Sequence, residues 1–314
     1  MRAKGLVDGL RALASPGPRA ALLAAATLVA VTGAPLRSQS PAAPLAAIDP
    51  GSLLTQLHHY LTAYESQLGE VVAVERMTQR TGAYGIGEPV YSGTGGRRTL
   101  ESEVAFVGLP GGAGWLGYRD VLKVDGRPTR RTGPSLRTLL AVQNSEATDR
   151  ARALLIAGAT YNLGAPRTIN LPSLPLEFLH PRNASRLTLA TEQPAGATSG
   201  ACGGQRLDLV ESHRPTLIQR PQGGDMPSRL SAWVEPDSGR LCRADVRTRD
   251  ASGGESGFEA MVSVYFGYDA AVDLSVPTRM NEEFYIPPLG RGTSEAIYRD
   301  YRRFKTSGRL LPPG

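Results

Sequence analysis

The sequence predicts an α+β fold, in which helices pack on one face of an antiparallel sheet. Three observations favour this class. Residues 228–304 contain consecutive segments in which apolar and polar side chains alternate, as expected of strands with one buried face. The 314 residues include 24 Pro and 36 Gly, which favours many turns and short strands over a helical bundle. Residues 51–68 carry apolar side chains at helical spacing.

The N-terminal half supplies one helix and the first strands. The helix is predicted over Gly51–Leu68, with Ser52 as its cap. Strands are predicted over Glu70–Gln79, Arg97–Leu109 and Trp115–Val124, and the turn Asp125–Gly126 suits a hairpin. In the second strand, the side chains predicted to share one face are Leu100, Ser102, Val104, Phe106 and Gly108.

A helical insert is predicted between the two halves of the sheet. Its helices cover Ser135–Val142 and Ser145–Tyr161, each with a serine at the capping position. A short helical turn is expected over Ser173–Leu179. Strands then resume over Arg186–Thr191 and Gln205–Ser212, so the chain returns to the sheet.

The C-terminal run, Ser228–Phe304, is predicted to be an up-and-down meander. Its first two strands flank Glu235–Gly239, where Pro and Gly suit a hairpin turn. Charged residues interrupt the apolar face near the chain end, and Glu282 and Arg302 are expected to form an inward ion pair. The side chains predicted to face inward from the later strands are Phe258, Ala260, Val262, Val264, Phe266, Met280, Glu282, Phe284, Ile286, Ala296, Tyr298, Asp300, Arg302 and Phe304.

The first residues have the pattern of an export signal. Four basic residues precede the apolar segment Ala20–Ala34, which is short for a membrane span, although an uncleaved anchor is the alternative. Residues 1–48 are therefore assigned to a signal peptide and a disordered linker, and 49–314 to a single domain. Export to an oxidising compartment permits a disulfide between Cys202 and Cys242, with two unpaired thiols as the alternative.

Several function classes lack support in the sequence. The net charge of +6 falls to about +2 without residues 1–40, and the arginines are scattered along the chain, so nucleic-acid binding is not predicted. Residues 112–117 spell the dinucleotide fingerprint, but a strand follows them where that motif requires a helix. Two Cys and four His without ligand spacing predict no metal and no cofactor. Without a G-x-S-x-G, H-E-x-x-H or G-K-[ST] motif, no catalytic residue is predicted.

Five segments carry a resemblance to known proteins, and they are Trp115–Asp120, Leu174–Pro181, Trp233–Arg240, Val276–Met280 and Ala296–Phe304. Together they resemble a family of uncharacterised exported proteins from soil-type bacteria. More distantly, a helix that leads into a curved antiparallel sheet is similar to the periplasmic lipoprotein-carrier (Lol) superfamily. That resemblance implies a half-barrel that holds acyl chains beneath a helical lid, and it implies no catalytic residue.

The sequence and the resemblance together predict a curved antiparallel sheet (half-barrel) of about nine to eleven strands, with the N-terminal helix and the insert on its concave face. The expected function is a non-enzymatic periplasmic or outer-membrane-associated carrier for a lipid, lipoprotein or other apolar ligand. The alternatives are an envelope structural or interaction protein with a filled core, and a hydrolase of unknown class. No transmembrane span is expected in the mature chain. The candidate ligand-binding residues are Val104, Phe106, Val246, Val262, Val264, Met280, Glu282, Phe284, Tyr298 and Arg302.

Overall fold

The computed structural model describes residues 48–82, 96–108, 115–130, 153–192, 203–220, 223–250, 257–287 and 290–303. They form an antiparallel sheet of eleven strands together with a few helices, which confirms the predicted α+β class. The helices are α1 (Pro50–Leu68), a helical stretch at 153–159, α2 (Leu174–Leu179) and a 3-10 helix (Pro181–Arg186). The strands are β1 (Val71–Thr81), β2 (Gly96–Gly108), β3 (Trp115–Val124), β4 (Arg127–Pro128), β5 (Leu187–Leu189), β6 (Gln205–Glu211), β7 (Ser228–Val234), β8 (Leu241–Arg249), β9 (Glu259–Asp269), β10 (Leu274–Ile286) and β11 (Gly290–Arg303).

The sheet consists of two meanders that meet at the first and last strands. Its order is β4-β3-β2-β1-β11-β10-β9-β8-β7-β6-β5, and every neighbouring pair is antiparallel. The predicted meander of the C-terminal run is therefore present from β7 to β11. Strand β1 completes the sheet by pairing with β11, and this pairing places residues from both ends of the described chain side by side.

One face of the sheet, here called the inner face, is buried by the helices and by residues 153–173. It carries Met77, Leu100, Val104, Val264 and Met280, each with no exposed surface or almost none, in one cluster with the apolar side of α1. The inward side chains of α1 are Leu53, Leu57, Leu61, Tyr64 and Leu68. The opposite, outer face alternates with these positions and is largely polar.

The start of α1 differs from the sequence prediction. Asp49, not Ser52, caps the helix, because the Asp49 carboxylate accepts a hydrogen bond from the Ser52 backbone N–H at 2.9 Å. Pro50 then occupies the first turn, where its missing N–H is not needed. The helix thus begins one residue earlier than predicted.

A bulge in β11 changes which of its residues face inward. Asp300 has a φ of 54°, and the register against β1 shifts at this point, so that Val72 pairs with Arg302 and Val74 with Arg299. The extra residue moves Tyr301 to the inner face and turns Asp300 and Arg302 outward. Strict alternation through residue 302 is therefore wrong.

Some predictions fall on parts of the chain that the structure does not describe. The leader 1–47, the first insert helix and residues 145–152 of the second lie outside the described residues, whereas 153–159 are helical as predicted. Gly112 and Gly114 are outside as well, and Trp115–Val124 is the predicted strand. Within the described ranges, no helix combines the length and the apolarity needed to cross a membrane.

Candidate ligand-binding face

Nine of the ten candidate residues lie together on the inner face of the sheet. Their exposed fractions are between 0% and 5%, so all nine are covered by the helices and by residues 153–173. They come from β2, β8, β9, β10 and β11 and belong to one sheet face because alternate residues of a strand point to the same side. These nine residues are Val104, Phe106, Val246, Val262, Val264, Met280, Glu282, Phe284 and Tyr298.

Arg302 is the exception, and the predicted ion pair between Glu282 and Arg302 is wrong. The Arg302 guanidinium lies on the outer side, where Nη2 contacts Glu103 Oε1 at 2.5 Å and the side chain is 46% exposed. The β11 bulge at Asp300 is the physical reason, since it reverses the facing of the residues that follow. Glu282 has a different partner.

That partner is Arg167, which reaches the inner face from the segment that follows the 153–159 helix. Arg167 Nε and Nη2 donate to the two carboxylate oxygens of Glu282 at 2.5 and 2.9 Å, and both side chains are at most 5% exposed. Ser294 Oγ donates to the same carboxylate at 2.8 Å. The Arg167 guanidinium also lies 3.7 Å from the centre of the Phe284 ring. This pair is bidentate and fully surrounded by partners, which offsets the desolvation of its charges.

A second buried pair joins Glu75 on β1 to Arg119 on β3. Arg119 Nε and Nη2 donate to the carboxylate at 2.5 and 2.8 Å, and Glu75 is completely buried. Although burial by itself disfavours the charged guanidinium, the charge and hydrogen bonds of Glu75 outweigh it and raise the pKa of Arg119. Burial, and then the Glu75 charge, raise the pKa of Tyr298 well above its usual value.

Asn170 links the two ion pairs. Its side-chain oxygen accepts from Arg119 Nη1 at 3.2 Å, and its backbone oxygen accepts from Arg119 Nη2 at 2.6 Å. Its amide Nδ2 donates to Asn162 Oδ1 at 2.9 Å and lies 3.4 Å from Glu282 Oε2. Gln79 Nε2 also donates to Asn162 Oδ1, at 2.7 Å. We call this set the polar cluster, and its members are Glu75, Gln79, Arg119, Asn162, Arg167, Asn170, Glu282 and Ser294.

The remaining inner face is apolar and lies under α1 and α2, which we call the cover. Phe178 and Leu179 of α2 are fully buried beside the α1 side chains. The hydrogen bonds that hold α1 to other elements use its side chains. Tyr64 donates to the Ser275 carbonyl at 2.6 Å, and Glu65 contacts His180 at 2.9 Å.

Ionisable side chains join the two parts of the cover. His180 Nε2 meets Glu65 Oε2 at 2.9 Å, and Arg182 reaches both Glu65, at 3.6 Å, and Glu177, at 2.5 Å. Burial lowers the pKa of His180, and the neighbouring Arg182 lowers it further, against the opposing effect of Glu65. Burial, and then the nearby His180, lower the pKa of His58.

Other sequence predictions concern metal and cysteine chemistry. Within the described ranges, no three His, Cys, Asp or Glu side chains are grouped in a way that could hold a metal ion. Cys242 on β8 is disulfide-bonded, whereas Cys202 lies outside the described residues. The Cys202–Cys242 pairing therefore stays a prediction.

Sequence reasoning missed most of the polar cluster. Alternation in β1 places Glu75 and Gln79 on the apolar parity of that strand, and this was the one signal that could have revealed them. Arg167 and Asn170 lie in an irregular segment without periodicity, so nothing in the sequence indicates that they reach the sheet.

Comparisons with known proteins find two solved structures of similar architecture. A LolA superfamily protein from Nitrosomonas europaea is 13% identical, with 85% of this chain and 96% of that chain covered and a TM-score of 0.30. A DUF1329 family protein from Desulfovibrio piger is 11% identical, with coverages of 82% and 94% and a TM-score of 0.38. The predicted resemblance to the Lol superfamily is thus confirmed as a distant one in architecture, and such low TM-scores support no statement about function. No protein-family model and no curated protein matches the chain.

Proposed function

We propose that this protein is an exported, non-enzymatic binding or carrier protein for a lipid, lipoprotein or other apolar ligand. The ligand would lie on the inner face, in a sheet curved around it, and would take the place of part of the cover. One observation carries the proposal: a continuous apolar sheet face is covered by a helix that, within the described ranges, is held to other elements by side chains alone. Moving α1 therefore breaks no backbone hydrogen bond of the sheet.

The energetics of exchange favour an acyl chain. Five α1 side chains contribute on the order of 10 kcal/mol by burial, at about 2 kcal/mol each. An acyl chain of about a dozen carbons contributes a similar amount, at about 0.8 kcal/mol for each buried CH2. An apolar chain of that length could therefore replace α1 on the sheet at little net cost.

The polar cluster gives the proposed site a fixed end. Its two ion pairs bind residues 162–170 to β1, β3 and β10, and removing one partner of such a pair leaves a costly buried charge. The cover over the apolar part has no comparable buried ion pair. Opening would therefore start at α1 and α2 and leave the polar cluster in place.

The test is native mass spectrometry of the full chain, purified from bacterial envelope extracts without detergent, combined with organic extraction of the same sample. The proposal predicts a lipid bound in a ratio of one to one. A probe such as cis-parinaric acid should enter faster in Leu57→Ala, which shortens a fully buried side chain of α1. Thr62→Ala, at an exposed position of the same helix, is the matched control and should leave the entry rate unchanged.

The second candidate is an envelope interaction protein with a permanently filled core. It is favoured by the complete burial of the inner-face side chains and by the mutual pairing of the polar cluster. A protein that carries no lipid, excludes the probe in both variants and captures the same envelope protein in repeated cross-linking would support this candidate and overturn the first.

A further inference from the structure

The outer face of the sheet carries a row of side chains that the register aligns across nine strands. Each residue of the row is the direct cross-strand partner of the next, from β6 through to β3. In order, the row consists of Arg206, Trp233, Arg243, Tyr265, Arg279, Ile297, Arg76, Glu101 and Lys123. A cation therefore occurs on every second strand, and we call this the cation row.

Stacking fixes the arginines at one end of the row. The Arg243 guanidinium lies 4.4 Å from the Trp233 ring centre and 5.1 Å from that of Tyr265. Arg206 covers the other side of Trp233 at 5.5 Å, and Arg279 covers Tyr265 at 4.4 Å. Such cation–π contacts hold flat, charged groups in set positions on an otherwise mobile surface.

Hydrogen bonds orient the same groups and leave part of each available. Arg243 uses Nε and Nη2 to bind Asp245, at 3.0 and 2.8 Å, and Arg206 uses Nε and Nη2 to bind Asp208 and Ser231, at 2.8 and 3.1 Å. Nη1 of each arginine is the group that an external anion would meet. Arg76 and Arg279 are exposed and form no salt bridge with the residues that the structure describes.

We infer that the cation row binds a linear acidic polysaccharide with an anionic group on alternate sugars. Neighbouring strands are about 4.8 Å apart, so the cations recur about every 10 Å along a row of about 38 Å. The cation row and the next two rows on the same face hold nine basic and five acidic side chains, so the surface complements a negative chain. This inference concerns the opposite face from the proposed apolar site and does not depend on it.

The adjacent row decides between this chain and other polyanions. It runs parallel to the cation row and offers carboxylates, hydroxyls and an amide, which repel dense negative charge but suit sugar hydroxyls. Its members are Asp208, Ser231, Asp245, Ser263, Asn281, Glu295, Thr78 and Thr99. A DNA strand carries one charge about every 3.4 Å, roughly three times the density of the row. An anionic membrane would likewise place charge over the carboxylates.

The row also has a concave end. A groove of about 630 Å³ is formed by the ends of β5, β6 and β7, and its lining includes Arg206, Asp208, Arg229 and Ser231. Arg206, the first residue of the cation row, thus belongs to both features. A polymer that follows the row would end in this groove, where Arg229 adds a further cation.

The test is binding of hyaluronan oligosaccharides, which carry one carboxylate on alternate sugars, to the full chain by titration calorimetry. The double variant R76Q/R279Q should lose about tenfold in affinity, as two charge-assisted contacts would give. The matched control R80Q/R97Q removes two exposed arginines from the same face but outside the row and should change the affinity by less than about threefold. Unchanged melting temperatures would verify that both variants are folded.

Three outcomes would overturn the inference. Equal losses in the two double variants would show diffuse attraction in place of a defined row. Equal binding of neutral dextran would remove the role of charge. Binding of phosphatidylglycerol vesicles or single-stranded DNA in preference to hyaluronan would assign the surface to another class of partner. Each result is independent of whether the inner face holds a lipid.

Discussion

Two parts of the inner face are covered in different ways. Over β1, β3 and β10, residues 162–170 are bound through two bidentate ion pairs and an asparagine that joins them. Over the apolar remainder, α1 and α2 are held by side-chain packing and by hydrogen bonds at their margins. Buried ion pairs require one arrangement, because a partner left alone is strongly destabilising, whereas apolar packing tolerates exchange of one apolar group for another. The comparison teaches that the polar cluster fixes the fold and that the cover is the part that can open.

The largest expected effect is on the polar cluster. Glu282→Ala leaves the Arg167 guanidinium buried without its carboxylate, so the free energy of unfolding should fall by about 3–5 kcal/mol. Guanidinium denaturation measures this change. Glu103→Ala, which breaks the exposed pair with Arg302, is the matched control and should cost less than about 1 kcal/mol. Similar losses in both variants would remove the distinction between buried and exposed pairs.

The next effect concerns the cover. Leu57→Ala removes a fully buried side chain of α1 and should lower the free energy of unfolding by about 3 kcal/mol. Hydrogen exchange should show faster opening of α1 while the amides of β1 and β3 stay protected. If α1 and those strands open together, the cover and the polar cluster are one cooperative unit and the comparison fails.

The disulfide of Cys242 lies on β8, under the apolar part. If Cys202 is its partner, labelling of the unfolded protein should find no free thiol before reduction and two thiols after it. Reduction should lower the free energy of unfolding by about 2 kcal/mol through a less constrained unfolded chain. Detection of a free thiol in the unreduced, unfolded protein would contradict the pairing.

The smallest effect is a pH dependence of the cover. The pKa values of His58 and His180 are lowered in the folded protein, so below the ordinary histidine pKa of 6.5 the unfolded chain binds more protons. Stability should therefore fall as the pH decreases from about 7 to about 5. Melting temperatures across this range should show a weaker pH dependence in His58→Gln. A wild-type melting temperature that rises on acidification would contradict the assignment.

The sequence predicts much of the sheet and less of the site. Period-2 alternation correctly identifies the inward residues of β2, β9 and β10, because a sheet with one buried face imposes that pattern. It fails after Tyr298, since a bulge at Asp300 adds one residue without changing the local composition. Sequence also misses the partners of Glu282 and Glu75, because Arg167 and Asn170 come from an irregular segment and meet the sheet only through tertiary contacts. The cation row escapes for a similar reason: its members are scattered along the chain and align only through strand register.

The most direct test of the central claim is photo-crosslinking of the full chain with a fatty acid that carries a diazirine on its acyl chain. Mass spectrometry of the digested protein would locate the label. The account predicts labelled peptides from β2, β8, β9 and β10, at inward residues such as Phe106 and Val264, and loss of the label when unlabelled fatty acid is in excess. Labelling confined to the outer face, or no label that competes, would contradict it.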